Sequence, residues 1–166
     1  GTRSSLPHGA PTDKKIAVGD FVTMDFGCIY QGYCSDMTRT VAVGKVDERQ
    51  KEVYNLVLKA QLEALAGIKA GVTGKEVDAL CRAVYREAGC LAYFGHGLGH
   101  SVGLEIHEEP RFSTKDEHVM QENMVMTVEP GLYYPNWGGV RIEDLVVIKQ
   151  EGYENLTHSP KELLIV

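Results

Sequence analysis

The stretch MDFGCIYQGYCSDMTRT, Met24–Thr40, decides how the chain is read. Its flanks, FVTMDFGCIY and YCSDMTRTVAV, are rich in Val, Thr, Tyr and Phe, with a Gln-Gly signal between them. The pattern predicts an antiparallel hairpin over residues 20–43. Asp25 and Asp36 lie inside it, although Asp is depleted in strands and a buried carboxylate is costly unless something pairs with it. With the turn centred between Tyr30 and Gln31, the two aspartates become direct cross-strand neighbours on one face, their Cβ atoms roughly 5 Å apart. Like charges so placed repel, and a hairpin that keeps both is expected to hold a cation between them. The plainer reading sets one Asp in a loop and the other in solvent, and this stretch alone leaves both open.

Outward from the hairpin, residues 1–15 read as a loop with Pro7 and Pro11. Asp47 is a helix cap with Gln50 at the capping-box position, followed by Val53, Leu56, Val57, Ala60, Ala64 and Leu65 at helical spacing. Thr73 and Glu76 form a second capping box ahead of Val77, Leu80, Cys81 and Val84, with Gly89 at the expected helix end. Nothing in either helix suggests chemistry. Beyond Gly89 come a segment dense in Gly and His, LAYFGHGLGHSVGLEIHEEP, and then short β-rich runs. The order predicts an α+β domain, helices covering one face of a curved sheet.

At 166 residues with 43% hydrophobic content, the chain is long enough for one domain with a real core. A net charge of −6 argues against a nucleic-acid partner. No apolar run approaches the roughly 20 residues of a membrane span, and no signal peptide opens the chain. A cytoplasmic location with reduced thiols at Cys28, Cys34, Cys81 and Cys90 is therefore expected. The first residues lack an initiator Met, so 1–166 is read as part of a longer chain whose missing residues precede Gly1.

Further polar residues break local rules as the two aspartates do. Glu129 ends the apolar run VMTV before Pro-Gly, and Glu143 lies within VRIEDLVVI, where strand alternation sets Arg141 and Glu143 on one face. His100 and His107 fall in the Gly-rich segment. Singly, each is more simply a strand end, an edge charge or a loop residue. Together, Asp25, Asp36, Glu129, Glu143 and one neutral His balance two divalent cations, and the mixed carboxylate and imidazole set suits Mn²⁺, Co²⁺, Fe²⁺ or Zn²⁺. Other motifs fail: His107-Glu108 begins like HExxH but has Arg111 in place of the second His. The glycines at 95, 97 and 99 lack a βαβ context, and no GxSxG elbow occurs.

The segments LPHG, MDFG…SDMTRT, GHGLGHSVGLEIHEEP, TVEPGLYYP and GGVRIEDLV, in that order, resemble the pita-bread metallopeptidases, and among them the proline-specific branch of Xaa-Pro dipeptidase (prolidase) and Xaa-Pro aminopeptidase. The resemblance implies the pita-bread fold and a dinuclear exopeptidase that hydrolyses the Xaa-Pro bond of peptides or dipeptides. It matches Asp25, Asp36, His100, Glu129 and Glu143 to five metal ligands, with Mn²⁺ the first expectation. It matches His8, His96 and His107 to histidines that contact substrate, Arg141 to an arginine of the proline-specific branch, and Glu129 to the general base as well. It further implies a homodimer in the full-length protein. The first-half helices of the fold are expected upstream of Gly1, leaving part of the sheet bare and open to association. The rivals are a methionine aminopeptidase and a non-catalytic binding module on the same fold.

Overall fold

The computed structural model describes residues 1–166. Strands β1 (Phe21–Phe26) and β4 (Met37–Ala42) form the body of the first hairpin, and β2 (Ile29–Tyr30) and β3 (Tyr33–Cys34) its tip. Gln31 and Gly32 both take positive φ, 49° and 89°, as a type I′ turn requires. The turn is thus centred one position later than the sequence suggests, and Asp25 pairs with Thr38 instead of Asp36. Asp36 falls in the gap between tip and body. The same register, carried across that gap, sets it against Gly27, where a Cβ would run into the Ser35 carbonyl oxygen. Strand side chains alternate with period two, so this shift keeps both aspartates on one face, as diagonal rather than direct neighbours.

Both predicted helices form. The capping boxes at Asp47 with Gln50 and at Thr73 with Glu76 close reciprocally, opening α1 (Glu48–Ala66) and α2 (Gly74–Glu87). Helix α1 buries Val53, Val57, Ala60, Ala64 and Leu65 as its spacing predicts, and also Tyr54 and Gln61. Helix α2 buries Val77, Cys81 and Val84 together with Asp78 and Tyr85, while Leu80 is exposed.

After the helices come β5 (Gly99–Ser101), β6 (Glu108–Phe112), β7 (Val125–Val128), β8 (Gly131–Tyr134), β9 (Gly138–Arg141), β10 (Asp144–Lys149) and β11 (Gly152–Asn155). Five of them make an antiparallel sheet in the order β11-β10-β7-β5-β6, and β8 pairs with β9. The β8–β9 pair continues β7–β10 in a single register, Val128 against Asp144 and Gly131 against Arg141. The long hairpin is interrupted at Glu129-Pro130 on one strand and Ile142-Glu143 on the other, so its register sets Glu129 opposite Glu143. Glu143 therefore lies in a break and not within a strand. Strand β4 runs beside the break: the Glu143 N–H donates to the Thr38 carbonyl at 3.0 Å, and Thr40 Oγ1 both receives from the Arg141 N–H and donates to its carbonyl. One apolar core, including Tyr54, Leu65, Phe112, Met126 and Ile142, joins helices and sheet. Met24, Phe26, Ile29, Tyr30 and Tyr33 of the first hairpin stay exposed. No helix is long and apolar enough to cross a membrane.

Candidate metal centre

The two interrupted hairpins and β5 meet at an open cavity of about 730 Å³ lined by Asp25, Asp36, His100, Glu129 and Glu143, with His8 and His107 also on its wall. One ligand atom each from Asp36, His100 and Glu143 lies within 4.8 Å of the others. His100 Nε2 stands 3.3 Å from Glu129 Oε1 and 3.8 Å from Asp36 Oδ2. Its Nδ1 lies 3.0 Å from the Ser101 carbonyl, which makes Nδ1 the donor and turns Nε2 to the acids. Glycine at 99 brings β5 against β7, because a Cβ there would run into the Thr127 carbonyl oxygen. At that approach Thr127 Oγ1 receives the His100 N–H at 3.0 Å and donates to Glu129 Oε1 at 3.1 Å.

Asp25 stands apart from the tight group. It is half-exposed, and its Oδ2 accepts from Arg141 at 2.5 Å. Arg141 thus pairs with Asp25 and not with Glu143 beside it in sequence. The same guanidinium donates to Thr38 Oγ1, to Tyr133 Oη and to the Pro7 carbonyl, tethering the loop that carries His8. The Thr38 hydroxyl in turn donates a hydrogen bond to Glu143 Oε2 at 2.7 Å. His107 is exposed and meets the His100 ring edge-on, centroids 4.5 Å apart. His96 is not on the cavity wall. It sits half-buried behind it, Nδ1 on the Gly97 carbonyl and Nε2 2.8 Å from Tyr133 Oη, so its hydrogen bonds lead to the acids through Tyr133 and Arg141.

Several supporting groups carry no local sequence signal. Arg39, buried, donates to the Glu143 and Thr38 carbonyls and pairs with Asp144 at 2.8 Å. Asp78 on α2 accepts the Leu98 N–H, and Arg82 donates to the His96 carbonyl, fixing the Gly-rich segment to the helix. The helices therefore do serve the site, contrary to their bland sequence.

The electrostatics are those of a cation-binding pocket. Burial, then the Asp25 and Glu129 carboxylates, push the Asp36 carboxyl up to about 6. Burial and the charges of Glu129 and Asp36 push Glu143 well above the carboxylate range. Burial would raise Glu129 too, but the hydrogen bond from His100 and the nearby His96 and Arg141 hold it below its ordinary value. His100 is raised: burial opposes its charge, and Glu129, the Ser101 carbonyl and Asp36 together outweigh it. The donor set, four carboxylates and one imidazole with crowded negative charge, fits divalent metal.

A pH dependence follows for the metal-free protein. Asp36 and Glu143 titrate higher folded than unfolded, so the folded state holds more protons and stability falls as pH rises through Asp36's window, about 4 to 6, and beyond for Glu143. Raised His100 acts in the same sense, its contribution lost as pH rises past its folded value. Lowered Glu129 acts oppositely, below its ordinary 4.5. The melting temperature of the metal-free protein is expected to fall between about pH 5 and about pH 8, and added Mn²⁺ to recover most of the fall. A melting temperature that rises over this range would contradict the assigned crowding.

A model of metallopeptidase family M24 matches residues 1–150. An Xaa-Pro dipeptidase of Pyrococcus horikoshii is 51% identical over 164 residues, covering 99% of this chain and 47% of that protein. Among solved structures, an Xaa-Pro dipeptidase from Bacillus anthracis superposes with a TM-score of 0.98 at 55% identity, over 99% of this chain and 46% of that one. An X-Pro aminopeptidase from Thermotoga maritima superposes with a TM-score of 0.96 at 47% identity, over 99% and 46%. The chain thus spans about half the length of the curated relatives it matches.

Proposed function

The chain belongs to metallopeptidase family M24, with its pita-bread fold, and from that premise we propose that it is the catalytic C-terminal part of a dinuclear exopeptidase cleaving the Xaa-Pro bond. The observation that carries the proposal is the convergence of four carboxylates and one bare imidazole nitrogen, from three separate chain segments, on one open cavity. Asp25, Asp36, His100, Glu129 and Glu143 would hold two divalent ions, Mn²⁺ first, with Co²⁺, Fe²⁺ or Zn²⁺ as other candidates. Bound there, such ions supply a water of lowered pKa and polarise a carbonyl.

The chain's own residues supply the rest. Glu129 takes up the water's proton at its carboxylate, which lies on the cavity wall and is oriented by the Thr127 hydroxyl. His107, exposed on the wall, donates to the carbonyl oxygen as charge develops there. Burial lowers the His107 pKa, which favours the neutral imidazole that donates through one N–H. His8, tethered through Pro7 to Arg141, faces the leaving proline side. Arg141 fixes Asp25, and His96 acts through Tyr133 by holding its hydroxyl toward Arg141. Ile29, Leu104 and Ile106 on the same cavity offer apolar surface for a proline ring. The relatives' names include both dipeptidase and aminopeptidase, so the substrates are peptides or dipeptides with proline second. We also assign the full-length protein a dimeric state, supported by the exposed apolar side chains of the first hairpin.

The test is a substrate panel on the full-length, Mn²⁺-loaded protein: Xaa-Pro dipeptides, Xaa-Pro-Yaa peptides and Met-Ala peptides. Turnover of a proline substrate at least about tenfold above Met-Ala, a difference of about 1.4 kcal/mol in transition-state binding, is expected. Faster Met-Ala turnover would move the assignment to methionine aminopeptidase, and metal binding without turnover of any member would leave a binding module.

A further inference from the structure

Gln61 is wholly buried in the middle of α1, where the apolar stripe calls for a hydrocarbon side chain. Its amide nitrogen lies 3.3 Å from the Val128 carbonyl and 3.3 Å from the Ile142 carbonyl. These are the residues immediately before Glu129 and Glu143, one on each strand of the interrupted hairpin. The other amide atom, Oε1, is buried with no partner. The opposite amide orientation would set Oε1 against two carbonyl oxygens, so the donor side is fixed toward the break. An unpartnered buried oxygen costs free energy that a leucine would not incur.

Each of the two peptide units so gripped is also held from its other edge. The Val128–Glu129 unit donates its N–H to the Leu98 carbonyl at 2.8 Å, and the Ile142–Glu143 unit donates its N–H to the Thr38 carbonyl at 3.0 Å. A peptide unit is planar, so bonds on both edges fix its orientation and the start of the residue that follows. At Ile142 the grip has no substitute: that buried carbonyl receives no backbone N–H, only Gln61. Across the break one long backbone bond survives, from the Ile142 N–H to the Pro130 carbonyl at 3.4 Å, and the Gln61 amide reaches both strands beside it.

We propose that Gln61 is a positioning residue that sets the separation of Glu129 and Glu143, and through it the affinity of the site for divalent metal. The proposal rests on the metal reading above. Its test uses Gln61→Leu and Gln61→Met in the full-length protein, which keep bulk and remove the donor, with Mn²⁺ affinity measured by calorimetry, the visible spectrum of bound Co²⁺, and melting of the metal-free protein. Expected are a roughly 10–100-fold loss of Mn²⁺ affinity, the range for partners that orient metal ligands, an altered Co²⁺ spectrum, and a metal-free melting temperature within a few degrees of the parent. Parental affinity and spectrum in both variants would overturn the proposal, as would variants that are unfolded without metal, since Gln61 would then be a core residue only. A parent that binds no metal would instead overturn the reading beneath it.

Discussion

His100→Ala is expected to strip the protein of its metal and so of its hydrolysis. The ring is the sole imidazole whose nitrogen faces the acids at close range, 3.3 Å from Glu129 and 3.8 Å from Asp36, and it is held there by the Ser101 carbonyl on its other nitrogen. Removing it deletes a donor and leaves Asp36 and Glu129 without the positive charge that His100 supplies in the metal-free protein. Metal affinity is expected to fall by at least about 100-fold, the upper end of what losing even an outer partner costs. Activity at micromolar Mn²⁺ should fall with it and recover partly at millimolar Mn²⁺. The fold should persist, because the ring faces the cavity while Leu98 and Phe112 beside it stay packed in the core. Calorimetric titration and circular dichroism read the two halves of this expectation. Unchanged affinity would remove His100 from the ligand set.

Glu129→Gln is expected to act on the rate more than on the fold. The amide keeps the shape of the carboxylate, its oxygen can still accept from Thr127, and the Glu129 N–H bond to Leu98 is untouched. What disappears is the proton-accepting charge. A positioned general base contributes about 10²–10⁴-fold, and kcat should fall by that amount with KM within about threefold. Glu143→Gln is the comparison: Glu143 is buried on the cavity wall and bonded to Thr38, and the substitution should weaken metal affinity first. If Glu129→Gln keeps its rate, the base lies elsewhere in the cavity.

The two hairpins illustrate what local sequence carries. Residues of high β-propensity around Gln31-Gly32 disclose the first hairpin and the shared face of its aspartates. The turn centre was legible only to within one position, because Gln is a weak marker for a residue at positive φ where Asn or Asp would be a strong one. Alternation protected the conclusion: shifting the pairing by two leaves each side chain on its face. The capping boxes at Asp47 and Thr73 span four residues each and form as expected. The four carboxylates and one histidine were grouped from their charge and donor chemistry, the resemblance singled out His100, and the cavity brings those five together. Gln61, Asp78 and Arg39 escaped because their partners are remote in sequence, 67 and 81 residues away for Gln61. A polar residue in an apolar stripe looks like a lapse until the carbonyls it reaches are known. His96 shows the converse, a histidine in a motif whose ring lies behind the wall it was expected to line.

Anomalous diffraction from crystals of the full-length protein grown with Mn²⁺ tests the central claim most directly. Two peaks are predicted in the cavity, each bounded by side chains from the set Asp25, Asp36, His100, Glu129 and Glu143. No peak in the cavity at saturating Mn²⁺, a single peak, or peaks bound by other residues would contradict it.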